Sequence, residues 1–210
     1  MIPVITPKKT ELDLPQNSAE LLYYGGGVRI QKSQGGGGSP VIRGFEANRV
    51  LLVIDGVRMN NAIYRSGHLQ NAITIDPNSL ERTEVIFGPS SVGYGSDALG
   101  GVVHFYTKTP KINNEKKWTI KGLESYNTTL NHTVSNLNFE YSNKKWASFS
   151  SFSYSDFGNI VMGENRTHGF KNWGLNKFNP SKELLNSNIV LNNDPNLQKN
   201  TDYSQFDLLQ

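Results

Sequence analysis

Histidines are the first residues in this sequence that could do chemistry, because imidazole binds metals and transfers protons near neutral pH. Metal sites often place two ligands one helical turn apart, in patterns such as HxxxH or HxxE. The four histidines stand at no such spacing. Ser90-Ser91 follows Gly88-Pro89, yet the G-x-S-x-G turn that exposes a nucleophilic serine is missing. The sequence therefore predicts neither an enzyme nor a bound cofactor. The four histidines are His68, His104, His132 and His168.

Two polar stretches could bind a ligand without catalysing a reaction. Residues 64–71 lie between two strand candidates and are too polar and too interrupted by glycine to form a core. They predict an exposed loop, the kind of segment in which binding residues are held by a rigid scaffold. Residues 156–200 form a second polar span with no sustained periodicity. The first stretch contains Arg65, His68 and Gln70, and the second contains Arg166, His168, Phe170 and Trp173.

Three charged residues stand beside apolar, strand-like runs. They are Arg43, Arg82 and Glu84. A charge buried without a partner is costly, so each is expected to pair with an opposite charge. The pairs could be ordinary ion pairs that stabilise the fold, or they could join two parts of the protein. The residues alone leave both interpretations open.

Short apolar runs bounded by turn residues must position these groups. Residues 41–42, 50–54 and 102–106 are rich in Val, Ile and aromatic residues, which is typical of strands. Asp55-Gly56 directly after an apolar run predicts a tight turn. Residues 18–22 predict a short helix capped by Asn17 or Ser18, and residues 1–5 predict an edge strand. Together these elements predict a small mixed sheet, with His104 as a satisfied core or interface residue.

The pattern changes after Lys108 to alternating apolar and polar residues. Strands are predicted at 118–127, 132–142, 145–155 and 201–209, with a short turn at 142–145. Segments of about ten residues with one apolar face are typical of transmembrane barrel strands. A soluble sandwich gives a similar local pattern, so the alternation by itself does not distinguish a transmembrane barrel from a soluble sandwich.

Composition excludes several classes of protein. The net charge of +3 over 210 residues is small, and its lysines and carboxylates are interspersed, which gives no basis for nucleic-acid binding. The chain has no cysteine, so it can form neither disulfides nor thiolate metal sites. It shows neither a leader nor a run of about 20 apolar residues. The four-glycine run at 35–38 is followed by Ser39-Pro40 instead of Lys-Ser, so it predicts a flexible loop rather than a phosphate site.

Five motifs carry a resemblance to a known family. IRGF, RVLLVIDGVRMN, LERTEV, GPSSVGYGSDALGGV and FYTK occur in this order between Ile42 and Lys108. They resemble the plug domain of TonB-dependent outer-membrane receptors, with Bacteroidetes-like features and some similarity to haem and haemoglobin receptors. The resemblance implies an α+β plug over residues 1–108, a small mixed sheet with short helices. Residues 109–210 would then be the first antiparallel strands of a transmembrane β-barrel, about four strands in a truncated barrel.

This resemblance also implies a function and a location. Receptors of this kind take up scarce iron complexes, either siderophores or haem, across the cell outer membrane. Their plug lies inside the barrel, faces the periplasm and is energised by the TonB–ExbB–ExbD complex through an N-terminal box. That box is expected to be missing here and the first strand incomplete, unless residues 3–6 are a divergent box. Implied partners are the iron complex and outer-membrane lipid, with no nucleic acid; haem would be cargo, not cofactor. The alternative is a stand-alone soluble ligand-binding module with a plug-like fold.

The motifs place the candidate residues within that frame. Arg43 resembles the arginine of the IRG motif, which faces barrel carboxylates, and Arg82 with Glu84 resembles the Arg-x-Glu pair of a plug–barrel lock. Phe87 departs from the pattern, since an arginine usually precedes Gly-Pro. Gly67-His68-Leu69 matches the apical loop in which haem receptors hold an axial histidine, so His68 is a candidate iron ligand. The ligand-binding candidates are Arg65, His68 and Gln70 at the plug apex, and Arg166, His168 and Trp173 in an extracellular loop.

Overall fold

The computed structural model describes residues 2–32, 38–46, 49–59, 74–128, 131–165, 167–179 and 190–210. These residues form a mixed sheet with short helices, followed by long antiparallel strands, which confirms the predicted fold class. The strands and helices of the first part are β1 Val4–Ile5, α1 Pro7–Asp13, α2 Ser18–Tyr24, β2 Val28–Gln31, β3 Ser39–Ile42, β4 Val50–Ile54, β5 Val57–Arg58, β6 Leu80–Ile86 and β7 Gly101–Thr107. Those of the second part are β8 Lys117–Asn127, β9 His132–Ser142, β10 Ala147–Phe157, β11 Ile160–Val161, β12 Phe178–Asn179, β13 Val190–Leu191, β14 Leu197–Gln198 and β15 Tyr203–Leu209.

The N-terminal unit, residues 2–108, is built on a five-stranded sheet in the order β1-β6-β7-β4-β5. Strands β4 and β7 are parallel, and the other neighbours are antiparallel, so the sheet is mixed as predicted. One prediction needs correction, because β3 does not join this sheet. It pairs with β2 in a separate two-stranded ladder whose register matches Val28 with Ile42.

Turns and helix ends follow from local chemistry. Asp55 and Gly56 have φ angles of 46° and 86°, the left-handed pair that a two-residue hairpin turn requires, and they connect β4 to β5. The Asn17 side chain accepts a hydrogen bond from the Glu20 backbone N–H at 3.0 Å, which confirms the predicted cap of α2. Helix α1 was not predicted. It begins at Pro7, a residue that suits the first turn because its missing N–H has no helical partner there.

The core of this unit lies on both faces of the central strands, because successive strand residues point to opposite sides. One face packs under α2 and the other under the two 3-10 helices Gly88–Tyr94 and Ser96–Ala98. Val50, Leu52, Val103 and Phe105 lie on the first face, and Leu51, Val53 and Val102 on the second. Phe105 is fully buried among Leu21, Leu22 and Val85 of the first cluster.

Four long strands, which we call the wall, form an antiparallel sheet in the order β15-β10-β9-β8. Their registers run without a break, from Lys117 opposite Ser142 to Asn127 opposite His132 in the first pair. The predicted strands and the short turn after β9 are therefore confirmed. Between β10 and β15 the described residues include two short ladders that the polar span did not predict, since β11 pairs with β14 and β12 with β13. Within the described ranges, no helix is long and apolar enough to cross a membrane.

Candidate functional site

The two faces of the wall have inverted polarity compared with a soluble sheet. The face turned away from the N-terminal unit carries exposed apolar side chains, including Ile120 at 64% exposure and Leu137 at 49%. The face turned toward the unit carries buried polar side chains, such as Asn136 and Ser153. Soluble proteins rarely leave a contiguous apolar patch of this kind in water. The outer apolar set comprises Trp118, Ile120, Tyr126, Leu137, Phe152, Tyr154, Phe206 and Leu208.

Aromatic rings gather at the end of the wall that holds the short β9–β10 turn. Trp118 lies 4.3 Å from Tyr141 and 5.2 Å from Phe139, measured between ring centroids. Tyr141 lies 4.6 Å from Trp146. Such a cluster on the apolar face is typical of the boundary between lipid tails and headgroups, where an amphipathic ring is favoured.

A polar seam joins the N-terminal unit to the wall, and Asp76 is its centre. Asp76 Oδ2 accepts hydrogen bonds from Asn136 Nδ2 at 3.1 Å and from Ser153 Oγ at 2.5 Å. Asn138 Nδ2 donates to Asn136 Oδ1 at 2.8 Å, which extends the chain of bonds along β9. These residues were not among the sequence candidates. The available signals were the Asp-Pro pair before a strand and the inward parity of the polar residues on β9 and β10, but their meeting depends on register.

Lys108 forms a second contact between the two parts. Its ammonium group donates to the Asn78 carbonyl at 2.5 Å and lies 5.8 Å from the centroid of the Phe149 ring on β10. Burial, reinforced by the positive charge of Lys121, lowers the pKa of Lys108. A gap of about 630 Å³ opens beside it between α1 and the wall, lined by Thr10, Glu11, Lys121 and Asn138 among others.

The predicted lock residues lie elsewhere in the N-terminal unit. Arg82 Nε and Glu84 Oε1 form an ion pair at 2.7 Å on one face of β6, and the Arg82 guanidinium lies 3.6 Å from the centroid of the Tyr106 ring. Tyr106 donates to Glu84 Oε2 at 3.3 Å, and the ion pair raises the pKa of Arg82. Arg43 lies over the Phe87 ring at 5.4 Å. Among the hydrogen bonds and ion pairs of the described residues, none joins Arg43, Arg82 or Glu84 to the wall.

His104 is a buried, hydrogen-bonded residue of β7, as the sequence predicted. Its Nε2 accepts a hydrogen bond from the Gly56 N–H at 3.1 Å, so the neutral ring carries its proton on Nδ1, which donates to the Tyr94 hydroxyl at 3.2 Å. The ring also stacks on Tyr106 with centroids 4.0 Å apart. Burial lowers the pKa of His104, and the nearby Arg82 acts in the same direction, whereas Glu84 and Asp55 oppose the shift.

A pH dependence follows for the β4–β5 hairpin. Because the folded-state pKa of His104 lies below the unfolded value of about 6.5, its contribution to stability is full above that value. The contribution is lost as pH falls through the lowered pKa. Protonation also removes the lone pair that holds the Gly56 N–H. We expect the hydrogen-exchange protection factor of Gly56 to fall below about pH 6.5, while that of Met59, bonded to the Leu52 carbonyl at 2.8 Å, falls less. Equal pH profiles for both amides, or no difference from His104→Gln, would contradict this role.

The candidate ligand residues lie partly in the described chain. Arg65, His68, Gln70 and Arg166 lie outside the described residues. His168 and Trp173 are described, and their rings meet edge to face with centroids 5.3 Å apart; Phe170 lies 5.7 Å from His168. All three are exposed and lie between β11 and β12. His168 Nδ1 accepts a hydrogen bond from the Phe170 N–H at 3.1 Å, so the neutral imidazole carries its proton on Nε2.

This tautomer determines what His168 can do chemically. An Nε2–H group donates a hydrogen bond to an anionic oxygen, and Nε2 can bind a metal only in the other neutral tautomer, which gives up the bond from the Phe170 N–H. The cluster of His168, Phe170 and Trp173 therefore suits the rim and the flat face of a ligand more than its metal centre. In the part of the chain that the structure describes, no group of three or more metal-binding side chains comes together.

Comparisons with known proteins agree with this architecture. The family model described as TonB-dependent Receptor Plug Domain matches residues 1–102. A vitamin B12 transporter, BtuB of Vibrio vulnificus, is 38% identical over 106 residues, which are 50% of this chain and 17% of BtuB. The hemin receptor of Yersinia pestis is 33% identical over 108 residues, 51% of this chain and 15% of the receptor.

The similarity in fold extends into the wall. The solved structure of the copper transporter OprC superposes with a TM-score of 0.66 at 19% identity, covering 75% of this chain and 24% of OprC. The chain thus spans about a quarter or less of the length of these proteins.

Proposed function

We propose, from the premise that residues 1–102 belong to the TonB-dependent receptor plug domain family, that the chain is the plug and first wall strands of an outer-membrane receptor. The receptor would import a scarce iron complex, either haem or a siderophore. The plug would extend to about residue 108 and the barrel would begin after it. Transport in this proposal is conformational, and no covalent bond within the ligand is made or broken.

The observation that carries the proposal is the inverted polarity of the wall. Ile120, Leu137 and Phe206 expose apolar side chains outward, and Asn136, Ser151 and Ser153 bury polar ones against the plug. Lipid would contact the apolar outer face, and the plug would form hydrogen bonds with the polar inner face. A soluble module would instead leave the apolar face in water, and its sheet edges at β8 and β15, beside which the described residues place no further strand, would promote aggregation.

The order of the strands supports an orientation. The chain leaves the plug and enters β8 directly, so the start of β8 and the short turn at 142–147 would face the periplasm. The segment between β10 and β15, which carries His168, Phe170 and Trp173, would then face outward. Short periplasmic turns and long outer loops are typical of such barrels.

Two segments would bind the ligand from opposite sides. The apical loop would present Arg65, His68 and Gln70, and the outer loop would present Arg166, His168 and Trp173. His68 is the proposed iron ligand if the cargo is haem. His168, with its proton on Nε2, would donate to a peripheral oxygen, and Trp173 would cover an aromatic face.

Energy would reach the plug from the periplasmic side. The proposed energy source is the TonB–ExbB–ExbD complex, acting through an N-terminal box. Arg43 is proposed to hold the plug through barrel carboxylates beyond the four wall strands, and the Arg82–Glu84 pair is proposed to form the second part of this lock. The outer membrane is the proposed location, with the plug facing the periplasm.

A titration with haemin and with a ferric catecholate tests which cargo is bound. In the purified full-length receptor, Trp173→Ala should weaken binding about tenfold, a typical cost for truncating a central aromatic contact. If the cargo is haem, His68→Ala should shift the Soret band because an axial bond is lost, whereas Trp173→Ala should leave the band in place.

The control is Phe206→Ala, which removes an aromatic ring from the outer face of the wall, away from the proposed ligand. Its affinity should equal that of the unsubstituted receptor. An unchanged haem spectrum in His68→Ala makes haem ligation by His68 wrong and favours a siderophore. If Trp173→Ala also binds both ligands normally, the outer-loop site is wrong.

A further inference from the structure

The Asp76 carboxylate lies at the boundary between plug and wall and has four hydrogen-bond donors around it. Two belong to the plug, since Asp76 Oδ1 accepts from the Asn78 N–H at 2.9 Å and from Asn78 Nδ2 at 3.0 Å. Two belong to the wall, at Asn136 on β9 and Ser153 on β10. Asp76 is only 8% exposed, so these bonds replace water almost completely. Charge-assisted hydrogen bonds in such surroundings are roughly twice as strong as neutral ones.

The surroundings hold this carboxylate in place from both sides. Asp76 begins the 3-10 helix Pro77–Ser79, and the Ser79 hydroxyl donates to the Asp76 carbonyl at 2.8 Å. Ser18 of α2 donates to the carbonyl of Ile75, the preceding residue. On the wall, Asn136 Nδ2 also contacts Ser151 Oγ at 3.2 Å and Ser153 Oγ at 2.7 Å. Each side of the seam is therefore also held by hydrogen bonds within its own unit.

The position of the seam connects it to both proposed ligand-binding segments. Asp76 follows the apical loop by a few residues, and Ser153 lies on the strand that leads into the outer loop. The seam therefore lies close along the chain to both segments.

We propose that Asp76 is the positioning residue that anchors the plug to the wall, and that its bonds to Asn136 and Ser153 must break before the plug can move. This inference rests on the proposed receptor function, but its test does not depend on transport. It differs from the lock of Arg43, Arg82 and Glu84, because Asp76 bonds directly to two wall strands whereas Arg82 and Glu84 pair with each other.

A labelling experiment with a double-mutant cycle tests the anchor. The given residues contain no cysteine. In a full-length receptor in which every cysteine outside them is replaced by serine, a single Thr10→Cys substitution reports when the buried face of α1 opens toward the gap beside the wall. In the full-length receptor in outer-membrane vesicles, Asp76→Asn should speed thiol labelling roughly tenfold or more, because a charged hydrogen-bond acceptor is lost. Ser153→Ala should also speed labelling, and the double variant should label no faster than Asp76→Asn.

Two controls separate an anchor from a general loss of folding. Asp156→Asn makes the same chemical change on β10, where the side chain is exposed on the face turned away from the plug. Its labelling rate should stay at the unsubstituted value. Asn136→Ser leaves the plug sequence intact, so faster labelling in this variant cannot result from a misfolded plug.

The outcomes are distinguishable. Additive effects of Asp76→Asn and Ser153→Ala, or unchanged labelling in either, would overturn the anchor. Equal acceleration by Asp156→Asn would also overturn it, since any carboxylate of the wall would then suffice. Normal labelling behaviour in a receptor that binds no iron complex would instead contradict the proposed function while leaving the anchor intact.

Discussion

Leu137→Arg should prevent stable insertion of the wall into a bilayer. Leu137 lies in the middle of β9 on the outer apolar face, where 49% of its surface is exposed. If that face contacts lipid, an arginine near the bilayer midplane costs about 2–4 kcal/mol. We expect less receptor in the outer membrane, and a lower urea midpoint for refolding of the purified protein into lipid vesicles.

The matched control is Leu123→Arg on β8, which lies across from Asn136 in the register. Leu123 faces the gap between α1 and the wall, where an arginine can remain hydrated. This variant should insert almost normally. The soluble alternative predicts no penalty for either variant, because arginine at the exposed Leu137 would lie in water and arginine at Leu123 would remain hydrated in the gap. Equal insertion of both variants would contradict a lipid-facing wall.

Much of the fold could be predicted because the wall and sheet strands have strong local signals. Val50–Ile54 has the length of a strand, is apolar and is followed by Asp55-Gly56, so both ends of this strand could be predicted. Strands β8, β9 and β10 alternate apolar and polar residues over eleven residues each, a length over which the alternation predicts a strand clearly. The alternation of apolar and polar residues predicted which residues share a face of the wall, but not whether lipid, water or protein contacts that face. The apolar face of β8 and β9 could have been a core in a soluble sandwich.

The missed elements lacked such signals. Helix α1 contains Lys8, Lys9 and Glu11 around a single buried residue, Thr10, so no apolar periodicity marks it. The ladders β11–β14 and β12–β13 have strands of two residues, too short for any pattern.

The polar seam was missed because it depends on contacts between distant residues. Asp76 is 60 residues from Asn136 and 77 from Ser153, and only the docking of the plug on the wall brings them together. The Arg82–Glu84 pair was accessible, because residues two apart on a strand share a face. The sequence could not show whether these two charges bond to each other or to the wall.

Phe105→Ala should destabilise the plug by about 3–5 kcal/mol, the usual cost of truncating a buried phenylalanine. Phe105 is completely buried in β7, where it packs in the cluster that also contains Leu22, Leu52 and Val103. Domains of about this size have total stabilities of roughly 5–15 kcal/mol, so the variant should lose a large part of its folded population. If residues 1–108 form an independent domain, as proposed, urea unfolding of that segment alone measures the loss of stability.

The matched control is Leu12→Ala in α1, where 74% of the leucine surface is exposed. Leucine and alanine have similar helix propensities, so the change should stay within about 0.5 kcal/mol. Residues 1–108 should unfold in one cooperative transition that Phe105→Ala moves to a lower urea concentration and Leu12→Ala does not. If the unsubstituted segment shows no cooperative transition, then the plug needs the wall to fold. The hydrogen bonds of Asp76 to the wall and the contact of Lys108 with the Phe149 ring would in that case be required for folding as well as for holding the plug in place.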